Sequence, residues 1–142
     1  MSVDITGEMR DLINSARADK VPCLLGTASP DGRPQISIKG SVAVFDDGSL
    51  CYWERSKRTA LENVSGNPNV VVFYRNPERR VTWRFHGVAT VHVSGAVREK
   101  VIALTPQAEL DADPERKGVA VVVRVDRITE LSGKVLQERL SP

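Results

Sequence analysis

Four consecutive residues, Ser56-Lys57-Arg58-Thr59, gather two cations and two hydroxyls at one place in the chain. They lead into Ala60, Leu61 and Val64, which share one face of a short helix that Gly66 and Pro68 must end. A helix start offers unpaired backbone N–H groups and the positive end of its dipole. An anion of phosphate size fits there, held further by charge-assisted hydrogen bonds from Lys57, Arg58 and the hydroxyls. The same residues also make an ordinary capped helix start with two solvated basic side chains. Their neighbours have to decide between the two. The sequence has no Gly-rich phosphate loop, no metal-spaced Cys/His cluster and no serine nucleophile elbow, so hydrolase chemistry and a metal centre are not expected. His86 and His92 are the only histidines, too far apart along one strand face to form a compact metal site.

The elements that position this segment read as mainly β. Met9, Leu12, Ile13 and Ala16 fall at helical spacing within residues 8–19, so a short amphipathic helix opens the chain. Residues 21–28 form a strand, and Ser29-Pro30-Asp31-Gly32-Arg33-Pro34 a hairpin connection. Residues 35–45 alternate, with Ile36, Ile38, Gly40, Val42 and Val44 on a face assigned to the core and Ser37, Lys39, Ser41 and Ala43 on the other. Asp46-Asp47-Gly48 turns this strand into a second one over residues 49–54, which carries Tyr52 and Trp53. Residues 70–74 and 80–94 are further strands, the latter bending at Gly87. A helix over residues 97–110 is interrupted near Pro106, and residues 113–118 form a charged surface loop. Strands over 118–125 and 128–140 finish the chain, with Gly133 as a bulge. Six or seven strands without strand-helix-strand regularity predict a mainly β protein with short helices, an antiparallel barrel in one domain over residues 1–142.

Composition narrows the partners. A chain of 142 residues with 41% hydrophobic residues can bury a core without metal or disulfide, and Cys23 and Cys51, both inside apolar runs, read as buried free thiols. The formal charge of +2 is spread along the chain, so no nucleic-acid partner is expected. The polar N-terminus and the lack of a long apolar run predict no membrane partner and a cytoplasmic location.

A planar, partly polar ring laid along the strand carrying Ser37, Lys39 and Ser41, with Tyr52 and Trp53 beside it, would place a phosphate tail near Ser56. A flavin suits that arrangement better than a nucleotide base. The order of motifs resembles the pyridoxamine-phosphate-oxidase-like, FMN-binding split-barrel flavoproteins. The likeness is carried by Asp31-Gly32-Arg33-Pro34 with the strand after it, the Asp-Asp-Gly turn, Ser56-Lys57-Arg58-Thr59, the Asn67-Pro68-Asn69-Val70-Val71-Val72-Phe73 stretch, Gly87 and Asp113-Pro114-Glu115-Arg116-Lys117-Gly118. It covers roughly residues 8–127.

That resemblance implies an antiparallel split β-barrel of FMN-binding type. Ser37, Ile38 and Lys39 would line the flavin ring, Tyr52 and Trp53 would lie beside it, Lys57, Arg58 and Thr59 would clamp the phosphate, and Thr82 and Arg84 would add contacts. It also implies a homodimer with the flavin at the subunit interface. The function implied is an FMN-dependent oxidoreductase that passes hydride or electrons to a small organic substrate. A deazaflavin on the same fold and a non-enzymatic flavin- or haem-binding module are the alternatives. The C-terminal Trp- and Arg-bearing segment of true pyridoxamine-phosphate oxidases has no counterpart after Val135-Leu136-Gln137-Glu138-Arg139-Leu140, so vitamin B6 oxidation is not expected. The basic-hydroxyl segment is also about one residue longer than the family spacing.

Overall fold

A computed structural model describes residues 2–140. Its elements run α1 (Gly7–Ser15), β1 (Cys23–Ala28), β2 (Pro34–Lys39), β3 (Ala43–Asp46), β4 (Ser49–Glu54), α2 (Thr59–Gly66), β5 (Asn69–Asn76), β6 (Val81–His92), α3 (Ala96–Leu104), α4 (Gln107–Asp111), β7 (Val119–Glu130) and β8 (Val135–Glu138). The strands form one antiparallel eight-stranded sheet in the order β2-β1-β5-β6-β7-β4-β3, with β8 pairing on β7. The sheet curls but is not closed: β2 and β3 are its two ends, so the barrel is split between them.

The stretch read as one strand over residues 35–45 is therefore two. It breaks at Gly40-Ser41-Val42, and β2 pairs with β1 while β3 pairs with β4. Ser41 fastens the break, because its Oγ accepts from the Trp53 amide and donates to the Trp53 carbonyl, each at 3.0 Å. Ile36 and Ile38, assigned to the core, are 74% and 71% exposed. The register explains the reversal. Ser37 lies opposite Leu25, which is buried, so Ser37 faces inward and the isoleucines outward, whereas Val42 and Val44 beyond the break are core. Alternation identifies which residues share a face, not which face is inside, and a bend resets the phase.

Inside the curl, Ile5, Ile13, Leu25, Val44, Leu50, Tyr52, Val72, Tyr74, Phe85, Val123 and Ile128 pack as the main core. A second, smaller core lies on the outer face of β3, β4 and β7, where Ala43, Cys51, Trp53 and Ala120 meet Val101 of α3 and Leu110 of α4. β6 and β7 run side by side for most of their length and step past one another between His86 and Gly87, where Arg127 and Val125 are the partners. A side chain at Gly87 would collide with the Arg124 carbonyl, so the close passage of these strands needs glycine there.

The helix expected over residues 97–110 divides at Pro106 into α3 and α4, as the sequence predicts. Residues 128–140 do not form one strand: β7 continues to Glu130, and Gly133, at φ 93°, sits in the hairpin turn to β8. The loop over residues 113–118 is more than a charged surface. Asp113 is buried and accepts from the amides of Lys117 (2.9 Å) and Gly118 (2.8 Å) and from Trp53 Nε1 (2.9 Å). Burial works against this carboxylate, yet those three donors and the Arg116 charge hold it below its ordinary range. Cys23 and Cys51 are buried free thiols, pushed up to about 12 by desolvation. Among the described residues no helix is long and apolar enough to cross a membrane, and no group of His, Cys, Asp and Glu is placed to hold a metal ion.

Candidate functional site

A cleft opens at the split in the barrel. It has a volume of about 660 Å³, within the range that holds cofactors and drug-sized ligands. One wall is the end of β2 and the break after it, with Ile38, Lys39, Gly40 and Ser41. The facing wall is the end of β4, with Trp53, Glu54, Arg55 and Ser56. Arg17 and Lys20 from the turn after α1 and Glu109 from α4 close one side. The cleft exists because β2 and β4 are not sheet neighbours: the chain must jump from one end of the sheet to the other, and the jump leaves a gap.

Lys39 and Glu54 bridge that gap. They form an ion pair with side chains 12% and 2% exposed, and the Lys39 ammonium also stands 5.6 Å from the centroid of the Tyr52 ring. Two desolvated opposite charges hold each other in place, and removing either one would leave a buried charge unpaired. Lys39 thus enters the cleft with its charge already matched by Glu54. Trp53 is fixed as firmly, by Ser41 on its backbone, Asp113 on its indole nitrogen and the Arg98 guanidinium 4.9 Å from the ring centroid.

The residues singled out from sequence fall into three places. Ile38, Lys39 and Trp53 line the cleft together. Ser37 sits one residue back on β2, half-buried, and Tyr52 is sealed in the core behind the Lys39–Glu54 pair. Lys57, Arg58 and Thr59 are exposed at the start of α2, immediately after Ser56, which lines the cleft. That helix has Arg58 at its N-cap in an extended conformation and no side-chain cap, so its first amides are open to a ligand.

Thr82 and Arg84 lie elsewhere in the single chain. Thr82 lines a separate depression of about 600 Å³ between β6 and the turn after β7, with Trp83, Glu130 and Ser132 among its neighbours. Arg84 is on the outer face of β6, donates to the carbonyls of Glu130 (3.0 Å) and Leu131 (3.4 Å), and stacks 5.9 Å from the Phe73 ring centroid. That face also carries Leu24, Gly26, Ile36, Val71 and Phe73, which with Arg84 line a shallow apolar groove of about 300 Å³.

His86 shares the outer face and lies 3.2 Å from Thr129 Oγ1. Desolvation first, then the charges of Arg127 and Arg84, lower its pKa, so the imidazole is neutral at pH 7. Neither histidine lines the main cleft.

Sequence reasoning missed Arg17, Lys20, Glu54, Arg55 and Glu109 as cleft residues. Arg55 had a signal in its adjacency to Ser56. The others reach the cleft from the turn after α1, from α4 and from the end of β4, a convergence that only the folded topology creates.

Several solved structures share the fold. HupZ of Group A Streptococcus is 27% identical, with a TM-score of 0.72 over 94% of this chain and 99% of that one. An F420 reductase is 21% identical (TM-score 0.65, covering 87% of this chain and 98% of that one). A heme binding protein from Mycobacterium smegmatis is 16% identical (TM-score 0.64, 90% of this chain and 56% of that one). At those identities the last two share the fold alone. A comparison with curated proteins returned no match. The family model of pyridoxamine 5'-phosphate oxidase matches residues 5–131, which hold β1 to β7, all four helices and every residue named on the cleft. The chain therefore belongs to the pyridoxamine 5'-phosphate oxidase family.

Proposed function

We propose that this protein is an FMN-binding oxidoreductase whose flavin ring occupies the cleft between the ends of β2 and β4. The observation that carries this reading is the continuity of the cleft with the start of α2: Lys39, Ser41, Trp53 and Ser56 line it, and Lys57, Arg58 and Thr59 follow directly after Ser56 at the start of a helix without a side-chain cap. A planar ring against Trp53 and the backbone of residues 38–41 would leave its phosphate tail at those amides and cations. Bound flavin supplies the hydride or electron transfer to a small organic substrate. The chain's own part is to orient the ring and to present a fixed ion pair beside it. Because Lys39 is matched by Glu54, this pair adds little net charge next to the ring.

Deazaflavin is the second reading, since an F420 reductase shares the fold and the same cleft would take its ring. Haem ligation in this cleft is disfavoured by its lining, which offers no histidine.

The working form in this proposal is a homodimer. Ile36, Ile38, Leu24, Val71 and Phe73 make a contiguous apolar strip on the outer face of β2, β1 and β5. Patches of this kind on soluble proteins mark interaction surfaces. Ile38 belongs to both the strip and the cleft, so a second copy seated on the strip would wall the open side of the flavin site and bring Arg84 to that boundary. Two buried free thiols suit a reducing, cytoplasmic setting.

The test is a titration of the full chain with FMN, and then with oxidised deazaflavin, followed by ring fluorescence. Saturable binding of FMN is expected, with Arg58→Ala weakening it by about 1.5–3 kcal/mol if the guanidinium makes a charge-assisted contact to the phosphate. Preference for deazaflavin would move the cofactor assignment, and no binding of either would remove the redox reading.

A further inference from the structure

The cleft holds a second polar device that the flavin reading leaves unused. Arg17, from the turn after α1, and Arg55, just beyond β4, both reach Glu109 on α4. Arg17 Nε lies 3.1 Å from Glu109 Oε2 and Arg55 Nε 3.7 Å from Oε1. Each carboxylate oxygen thus takes one guanidinium by its Nε edge. The carboxylate is largely covered, 13% exposed, while the arginine side chains are 43% and 44% exposed. The outer nitrogens of both guanidinium groups have no other hydrogen-bond or ion-pair partner among the described residues. One planar fork is held from behind by a hydrogen bond and the other by a looser ion pair, and the donor ends of both are free.

Lys20 adds a third cation to this side of the cleft. Its backbone takes the left-handed conformation, at φ 63°, with its amide donating to the Arg17 carbonyl at 3.1 Å, so the tight turn that delivers Arg17 also delivers Lys20. Gly40 also lines this side: a Cβ there would come within 3.1 Å of Glu109 Oε2 and 3.4 Å of Arg17 Nε, so glycine lets the bridge lie close against the backbone. Two cations meet one carboxylate and a third lines the same side of the cleft, so the surplus positive charge faces the recess and attracts anions.

We infer that Arg17, Arg55 and Lys20 form an anion subsite that holds a carboxylate or phosphate of the second reactant, so that the substrate is a small anionic molecule. This rests on the reading of the cleft as a flavin site. The cofactor's own phosphate is assigned to Lys57, Arg58 and Thr59, which are not among the residues lining the cleft, whereas Arg17, Lys20 and Glu109 line it from the turn after α1 and from α4 and meet Arg55 on the wall at the end of β4. Within the one cleft, Trp53 and the end of β2 then orient the ring, and the arginine–glutamate bridge with Lys20 chooses the molecule that meets it.

The test is a calorimetric titration of the full chain at low ionic strength with inorganic phosphate and, separately, with succinate, each with and without saturating FMN. Arg17→Gln, Arg55→Gln and Lys20→Gln are compared with the unmodified protein, and thermal unfolding checks that each is folded. Lys20 ties no other element through its side chain, so its variant keeps the test open if an arginine variant fails to fold. The expected result is that phosphate or succinate binds beside FMN, that each arginine variant weakens this binding about tenfold, as the loss of a charge-assisted hydrogen bond implies, and that FMN affinity falls by less than probe affinity does. The stronger of the two probes identifies the anion as phosphate or carboxylate. Probe affinity unchanged in all three variants, or FMN affinity falling about tenfold while no probe binds the FMN-loaded chain, would overturn the inference. Loss of FMN binding in every protein, with arginine-dependent probe binding intact, would instead sink the flavin reading and leave the anion site standing.

Discussion

The two halves of the sheet are finished differently on their outer faces. Over β3, β4 and β7 the outer face is roofed by α3 and α4, and Cys51, Trp53, Ala120, Val101 and Leu110 close into a second core. Over β2, β1 and β5 nothing of this chain covers the outer face among the described residues, and Ile36 and Ile38 stand in solvent. Both faces alternate in the same way along their strands. The difference is that the chain after β6 lays the α3–α4 pair over the β3, β4 and β7 face, while among the described residues no helix is laid over the outer face of β2, β1 and β5. The cleft sits where the two halves meet, so its Trp53 wall is built from the rigid side and its Ile38 wall from the side left open.

That contrast breaks most sharply at the roof. Leu110→Ala removes a buried side chain between α4 and the sheet, and should cost about 2–5 kcal/mol of folding stability, read from the denaturant midpoint. A change under about 1 kcal/mol would mean that the roof is not a second core. Asp113→Asn is the next largest. It takes the charge from a carboxylate that accepts from two amides and the Trp53 indole, and should cost about 1–3 kcal/mol at neutral pH.

The pH dependence fixes the sign of this effect. Asp113 is held below its ordinary pKa in the folded state, so its stabilisation is fully present above about pH 4, near the unfolded value, and fades as pH falls through the lower folded value. The gap between the unmodified protein and Asp113→Asn should therefore be constant from neutral pH down to about pH 4 and narrow below it. A gap that widened on acidification would contradict the assignment.

Ile36→Lys, on the bare face, should change the folding stability of the isolated chain by no more than about 0.5 kcal/mol, because the side chain is already in solvent. Its effect belongs to association: sedimentation should show a dimer for the unmodified protein and a monomer for the variant. An unmodified protein that sediments as a monomer would leave the apolar strip without its proposed occupant.

Much of the fold was legible because local chemistry set it. The turn residues at 29–34 and 46–48, the helix stop at Gly66 and Pro68 and the interruption at Pro106 all appear where composition placed them. The break at Gly40-Ser41-Val42 was not legible, since alternation continues through it and the side-chain clasp from Ser41 to Trp53 is a long-range contact. The same blind spot put Ile36 and Ile38 in the core. Of the site, the strand carrying Ile38 and Lys39 and the aromatic Trp53 could be read, because each announces itself by residue type within one element. Glu54, Arg17 and Glu109 could not, because a lone charged residue in a strand or helix is usually solvated, and only the crossing from one sheet end to the other brings these into one cleft.

The most direct test of the account is an FMN titration of the unmodified protein beside Ile36→Lys, a residue that lines the apolar groove but not the main cleft. Saturable binding by the unmodified dimer, weakened by roughly tenfold or more in the monomeric variant, is the predicted result: a flavin cleft completed by a second copy. Equal affinity in the two proteins would place the whole site within one chain, and no binding to either would contradict the flavin assignment itself.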